Sequence, residues 1–214
     1  MGTTVADVMT TRVIAVKRNA DFKQIAEVLR QYRVSACPVI DDAARVVGVV
    51  SEADLLYKAA DCELPAGLIR LRWKLGEESK ITAVTAGELM TSPAVTIQSD
   101  APVQVAARVM RDRRLKRLPV VGKYGELIGI VSRADVLGVY DRPDTAILAE
   151  VTHVVASELG TIPGDFEATV SSGVVTLIGF VAQEETALEL VARLRHVEGV
   201  VAVRDRLAVG QLIE

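Results

Sequence analysis

Gly48-Val49-Val50-Ser51-Glu52-Ala53-Asp54 returns as Gly129-Ile130-Val131-Ser132-Arg133-Ala134-Asp135, 81 residues later. The surrounding residues keep the same step without a gap. Met9-Thr10 matches Met90-Thr91, Ala26 matches Ala107, and Pro38-Val39 matches Pro119-Val120. A gapless match over such a length is an internal duplication, and a duplicated unit buries its apolar face against its twin. Each copy of the quoted stretch reads as a buried strand that turns directly into a helix.

Working outward, the first copy covers residues 5 to 58. Val13-Ile14-Ala15-Val16 reads as a strand. Asn19-Ala20-Asp21 opens a helix with Phe22, Ile25, Ala26 and Leu29 at helical spacing. Ala36-Cys37-Pro38-Val39-Ile40 and Val46-Val47-Gly48-Val49-Val50 form a hairpin across the turn Asp41-Asp42-Ala43-Ala44. Ser51 then starts a second helix. The second copy, residues 86 to 140, repeats this order, with a strand at Ala94-Val95-Thr96-Ile97 and a helix from Val103 to about Arg113. Its hairpin turns at Gly122-Lys123-Tyr124-Gly125. Between the copies, residues 59 to 85 match neither. There Ile69-Arg70-Leu71-Arg72-Trp73-Lys74-Leu75 alternates cations with apolar groups, as a linker with a solvated charged face or a partner-binding segment would. Residues 144 to 211 change character. A short helix near Ala146 to Val151, strands Phe166 to Val170 and Val174 to Val181, a helix carrying Ala187, Leu190, Val191 and Leu194, and a strand Val200 to Val203 make a two-layer αββαβ domain. Gly173 serves the hairpin turn and Gly199 the helix exit.

The Ser-x-x-Asp step has two readings. One is a helix cap, with the serine accepting a backbone amide and the acid complementing the helix dipole. The other uses the same geometry for a ligand. Helix amides and a serine hydroxyl suit a phosphate, and a carboxylate accepts from two vicinal hydroxyls, as on a ribose. The turn therefore suits a nucleotide.

Composition narrows the alternatives. The formal charge of −3 and only 4% aromatic residues argue against nucleic-acid binding. Cys37 and Cys62 form no metal-ligand spacing, and no metal site or disulfide is expected. His153 and His196 have no nucleophile or ligand partners nearby in sequence, and no P-loop or nucleophile elbow is present, so no catalytic residue is assigned and no enzyme is expected. The mild opening Met1 to Asp7 does not read as an export leader, and no apolar run reaches membrane-spanning length, so a cytoplasmic location is expected.

Two strand-helix-strand-strand-helix units, each with a Pro-Val strand and the Gly-x-Val-Ser-x-x-Asp turn, resemble a tandem pair of CBS (cystathionine β-synthase) domains. The resemblance implies an α+β fold in which duplicated β-α-β-β-α units form a pseudo-twofold pair. It also implies two clefts for AMP, ADP, ATP or S-adenosylmethionine as a regulatory ligand, with no catalytic cofactor. Carried onto this chain, one cleft would take Ser132, Arg133 and Asp135 with Thr10, Arg12, Ile14, Ser35 and Ala36. The other would take Ser51 and Asp54 with Thr91, Val95, Lys116 and Arg117. The first is preferred, because Ser35-Ala36 leave room for adenine while Lys116-Arg117 crowd the second. The segment from Val170 to Val181, with Val197-Glu198-Gly199-Val200-Val201, resembles a BON domain, a family associated with phospholipid. The expected protein is a ligand sensor relaying to that domain, and a homodimer through apolar helix faces. The alternative is a structural or membrane-associated adaptor with vestigial clefts.

Overall fold

The duplicated halves begin with segments too short to fold alone, and each is completed by the other half. In a computed structural model that describes residues 2–61, 83–159 and 166–210, Val5–Val8 forms a single-turn helix, α1. One helical turn is unstable by itself. Here a capping box holds it, with the Thr4 amide and hydroxyl both donating to Asp7 Oδ2 at 2.8 and 2.6 Å. Its free amides at Val5 and Ala6 donate to Ala101 and Ser99 of the second copy. The strand expected over residues 13 to 16 shrinks to Val16–Lys17, β1, because only these residues find a ladder, running parallel to the next strand.

Helix α2, Phe22–Tyr32, starts at Asp21, whose carboxylate accepts the Gln24 amide at 2.9 Å. Ile25 and Leu29 are its buried face, with Phe22 and Ala26 packed alongside. Strands β2, Ala36–Ile40, and β3, Val46–Ser51, pair antiparallel, so Ser51 closes a strand and does not begin the helix. Helix α3 is Glu52–Asp61. Residues 62–82, which include Cys62 and the stretch with Trp73, lie outside the described residues.

The second copy repeats every element: α4 Ala86–Leu89, β4 Ile97–Gln98, α5 Val103–Asp112, β5 Arg117–Val121, β6 Leu127–Ser132 and α6 Arg133–Gly138. The cross-copy bonds show the pseudo-twofold relation atom by atom. Thr10 exchanges both backbone hydrogen bonds with Ile130, and Thr91 does the same with Val49. These are equivalent positions 81 residues apart. Ala86 and Gly87 of α4 donate to Ala20 and Arg18, mirroring α1. Ala86 and Leu89 are thereby buried in the core of the first copy with Ile25, Val39 and Val50.

Cys37 belongs to that core and is 1% exposed. Burial disfavours the thiolate and pushes its pKa up to about 11. We expect the thiol to resist a chromogenic disulfide reagent at pH 8 until the chain is denatured. The folded state holds this proton more tightly than the unfolded state. The group's contribution to stability is therefore full below pH 9 and is lost as the pH rises from there towards 11. Rapid labelling of Cys37 in the native protein would refute this packing.

Two compact units divide the chain, one of Thr4–Arg133 and the other of Met1–Thr3 with Ala134–Glu214. In the second unit the helix expected near 146 to 151 extends over Asp144–Leu159, α7. It buries Ile147, Val151 and Val155 against a three-stranded sheet. Strands β7, Glu167–Ser171, and β8, Val174–Val181, form a hairpin. Gly173 at its turn has φ +73°, and a Cβ there would come within 2.7 Å of the Gly199 carbonyl oxygen. Asp144 at the start of α7 accepts the Ser172 and Gly173 amides at 2.7 and 2.8 Å, fixing helix to turn. Helix α8, Glu184–Leu194, covers the same sheet face with Leu190 and Leu194. The last strand begins later and runs longer than its apolar residues suggest: β9 is Ala202–Val209, parallel to β8 over its whole length. Its Arg204-Asp205-Arg206 triplet hides the strand from an apolar-pattern reading, yet charges of this kind suit an edge strand.

Candidate functional site

Where β3 runs into α3, the duplicated turn takes the form of a helix cap. The Ser51 amide and hydroxyl donate to Asp54 Oδ2 at 2.9 and 2.6 Å, and the Asp54 amide donates back to Ser51 Oγ at 3.4 Å. The Glu52 amide reaches the Ser35 carbonyl at 3.0 Å, tying the turn to the entrance of β2. Asp54 is 7% exposed, and it is the buried charged residue of the described chain. The second copy makes the equivalent tie, with the Arg133 amide donating to the Lys116 carbonyl.

Beside Ser51 and Asp54 lies a cavity of about 530 Å³. It is large enough for a nucleotide. Ser51, Asp54, Thr91, Val95, Lys116 and Arg117 all line it, so the six residues read from the sequence as one cleft come together. Thr91 arrives there through its backbone pairing with Val49, and Lys116-Arg117 through the start of β5. Ser35 and Ala36 line the same cavity, although the sequence reading places them with the other cleft. The reason is the sheet register: Ala36 stands opposite Ser51 across the hairpin.

The other residues of the preferred cleft surround the equivalent turn of the second copy or its neighbouring strand. Thr10 is paired to Ile130, two residues before Ser132, and Arg12 is exposed while Ile14 is half-buried. Ser132 ends β6. Arg133 is exposed, and its Nε donates to the Leu115 carbonyl at 2.8 Å. Asp135 sits in the first turn of α6, half-buried, and is grouped with the second compact unit.

The cavity wall also holds residues that the sequence reading missed. Val49, Pro93, Ala94, Leu115 and Pro119 give it an apolar side, and Arg114 and Glu52 add charge. Arg114 follows α5 in a left-handed conformation, φ 55°, as Arg33 does in the first copy, φ 51°. The run Arg111-Asp112-Arg113-Arg114-Leu115-Lys116-Arg117 is the signal that could have found it. Among the described residues, Arg117 Nε is a buried side-chain nitrogen with no hydrogen-bond partner. Leaving such a donor unsatisfied costs about 1–3 kcal/mol, so an acceptor in the cavity would be favoured. A separate cavity of about 20 Å³ lined by Ala36, Cys37, Arg117 and Pro119 is too small for a ligand.

Among the described residues no group of three or more His, Cys, Asp or Glu side chains is arranged to hold a metal. No described helix is long and apolar enough to cross a membrane.

A crossed pair of duplicated β-α-β-β-α units with a cleft at the strand-to-helix turn defines the class of protein. The CBS domain model matches residues 5–61 and 86–142, and the BON domain model matches residues 143–211. The chain belongs to the CBS domain family, as two CBS domains followed by a BON domain.

It is 34% identical over 149 residues to the chloroplastic CBS domain-containing protein CBSX2 of Arabidopsis thaliana, a match covering 64% of this chain and 63% of that protein. The crystal structure of CBSX2 in complex with AMP aligns with a TM-score of 0.56 at 32% identity, over 64% of this chain and 95% of that one. Hypoxic response protein 1 of Mycobacterium tuberculosis is 28% identical over 134 residues, covering 63% of this chain and 82% of that protein. Its crystal structure with two coordinated zinc ions aligns at a TM-score of 0.50 and 26% identity, over 64% of this chain and 98% of that one. A match to an uncharacterised protein of Methanopyrus kandleri spans 52% of that protein's length.

Proposed function

We propose that the chain is a non-catalytic regulatory protein whose CBS pair binds an adenosine-containing ligand and relays its presence to the BON domain. The observation that carries the reading is the cavity at Ser51–Asp54, where a serine at a helix start, a carboxylate, three cations and an apolar wall converge. The likeness to CBSX2 solved with AMP supports it. Adenine would lie along Ala36, Val49 and Pro119, the ribose would reach Asp54, and the phosphate would meet Lys116 and Arg117. Relay requires that the ligand bind two arrangements of the chain with different affinity. A homodimer through exposed helix side chains such as Leu56 and Val105 belongs to the same proposal; a monomeric mass by light scattering removes it.

The test is calorimetric titration of AMP into the full chain and into Asp54→Ala and Asp135→Ala. Asp54→Ala is expected to weaken AMP at least about ten-fold, the scale of a lost charged hydrogen bond. Asp135→Ala is expected to weaken it less. The reverse order moves the ligand to the second copy, and unchanged affinity in both variants rejects a Ser-x-x-Asp site altogether.

A second reading, an adaptor with vestigial clefts and phospholipid contact through the BON domain, is favoured by one observation: Ser51 and Asp54 already bond to each other. Co-sedimentation with anionic vesicles, unaltered by any nucleotide, would support it.

A further inference from the structure

We propose that the Ser51–Asp54 cleft selects its ligand by phosphate charge, accepting adenosine mono- and polyphosphates and disfavouring the cationic sulfonium of S-adenosylmethionine. The inference rests on the adenosine reading above and narrows it to one chemical class.

Its basis is the way the two copies have diverged. The first copy reads Arg30-Gln31-Tyr32-Arg33-Val34-Ser35-Ala36 where the second reads Arg111-Asp112-Arg113-Arg114-Leu115-Lys116-Arg117. Both cations of the first run are kept, and cations are added at 113, 116 and 117. Lys116 and Arg117, with the retained Arg114, line the cavity. The acid within the run is used elsewhere, since Asp112 pairs with Arg111 at 2.8 Å. Among the described residues none of Arg114, Lys116 and Arg117 has an ion-pair partner. In the same cavity Asp54 Oδ2 already accepts two hydrogen bonds from Ser51. Glu52 is exposed, where water screens it.

Arg117 strengthens the case, since it is half-buried on the cavity wall. It is the first residue of β5, paired opposite Ser132, and its Nε is buried without a partner. A guanidinium with an open donor matches phosphate oxygens, which can accept from two of its nitrogens at once. A sulfonium would instead bring a like charge towards three cations, and half-buried Arg117 repels it through a medium that screens less than water. The small residues Ser35 and Ala36 share the cavity, so the added cations leave room for the base.

The experiment titrates AMP, ATP, adenosine and S-adenosylmethionine into the full chain, into Lys116→Gln and into Arg117→Gln, at low and high salt. AMP and ATP are expected to bind at least about ten-fold more tightly than adenosine, and this margin should shrink as salt rises. S-adenosylmethionine should bind no more tightly than adenosine. Each variant should reduce the AMP-to-adenosine ratio. Lys116 is exposed, so Lys116→Gln keeps the test valid if Arg117→Gln does not fold. If S-adenosylmethionine matches AMP, or the ratio ignores both variants, charge selection is wrong and the adenosine reading stands. If none of the four compounds binds, the adenosine reading itself fails.

Discussion

Leu177→Ala is expected to destabilise the BON unit by about 2–5 kcal/mol, the range for truncating a fully buried leucine. Leu177 is 0% exposed at the centre of β8, with β7 on one side and β9 on the other. Its neighbours in the core include Ile147 and Val151 from α7 and Leu190 from α8. All come from regular elements, so the cavity left by truncation closes poorly, and the cost rises with the volume left empty. Leu177→Met keeps the volume and should cost less than about 1.5 kcal/mol. Hydrogen exchange along α7 and α8 measures both variants. Equal protection in Leu177→Ala and the parent chain would show that this core is not the one described.

Gly48→Val should cost about 3 kcal/mol, through overpacking rather than backbone strain. A Cβ on Gly48 would collide with Met90, meeting its Cγ at 2.7 Å and its Cβ at 3.0 Å. The equivalent Gly129 faces Met9, whose Sδ would lie 2.5 Å away, with the Thr10 carbonyl oxygen at 3.3 Å. In both copies the glycine that precedes the duplicated turn packs against the methionine of the other copy. Adding Met90→Ala should recover part of the loss, giving a coupling of about 1–3 kcal/mol in a double-mutant cycle. Gly138→Ala is the control, because nothing lies within 4 Å of a Cβ there. Chemical denaturation of the cycle's four proteins and of the control provides the measurement, and strict additivity of Gly48→Val and Met90→Ala would refute the crossed packing.

The strands that a reading of apolar runs finds most securely are those buried on both sides, Ala36–Ile40 and Arg117–Val121. It does less well where pairing depends on a distant neighbour. Residues 13 to 15 are apolar enough for a strand but lack a ladder partner, because the chain has just left its bridge at Thr10–Ile130. The single-turn helices α1 and α4 are invisible to periodicity, since four residues carry no repeat. Strand β9 is hidden by its charges. At the site, the residue types were legible and their grouping was only partly so. Ser51, Asp54, Thr91, Val95, Lys116 and Arg117 share one cavity as a group, while Ser35 and Ala36 join them through hairpin pairing.

By itself the sequence determined the duplication and the strand-helix-strand-strand-helix order within each copy, because these depend on residues near one another in the chain. Only the tertiary structure decided that each copy borrows its leading helix from its twin, and that Gly48 and Gly129 must be bare. It also placed Lys116 and Arg117 on the lining of the Ser51–Asp54 cavity. Long side chains reveal in sequence how far they could reach, but the neighbouring strands and the opposite copy fix where they end.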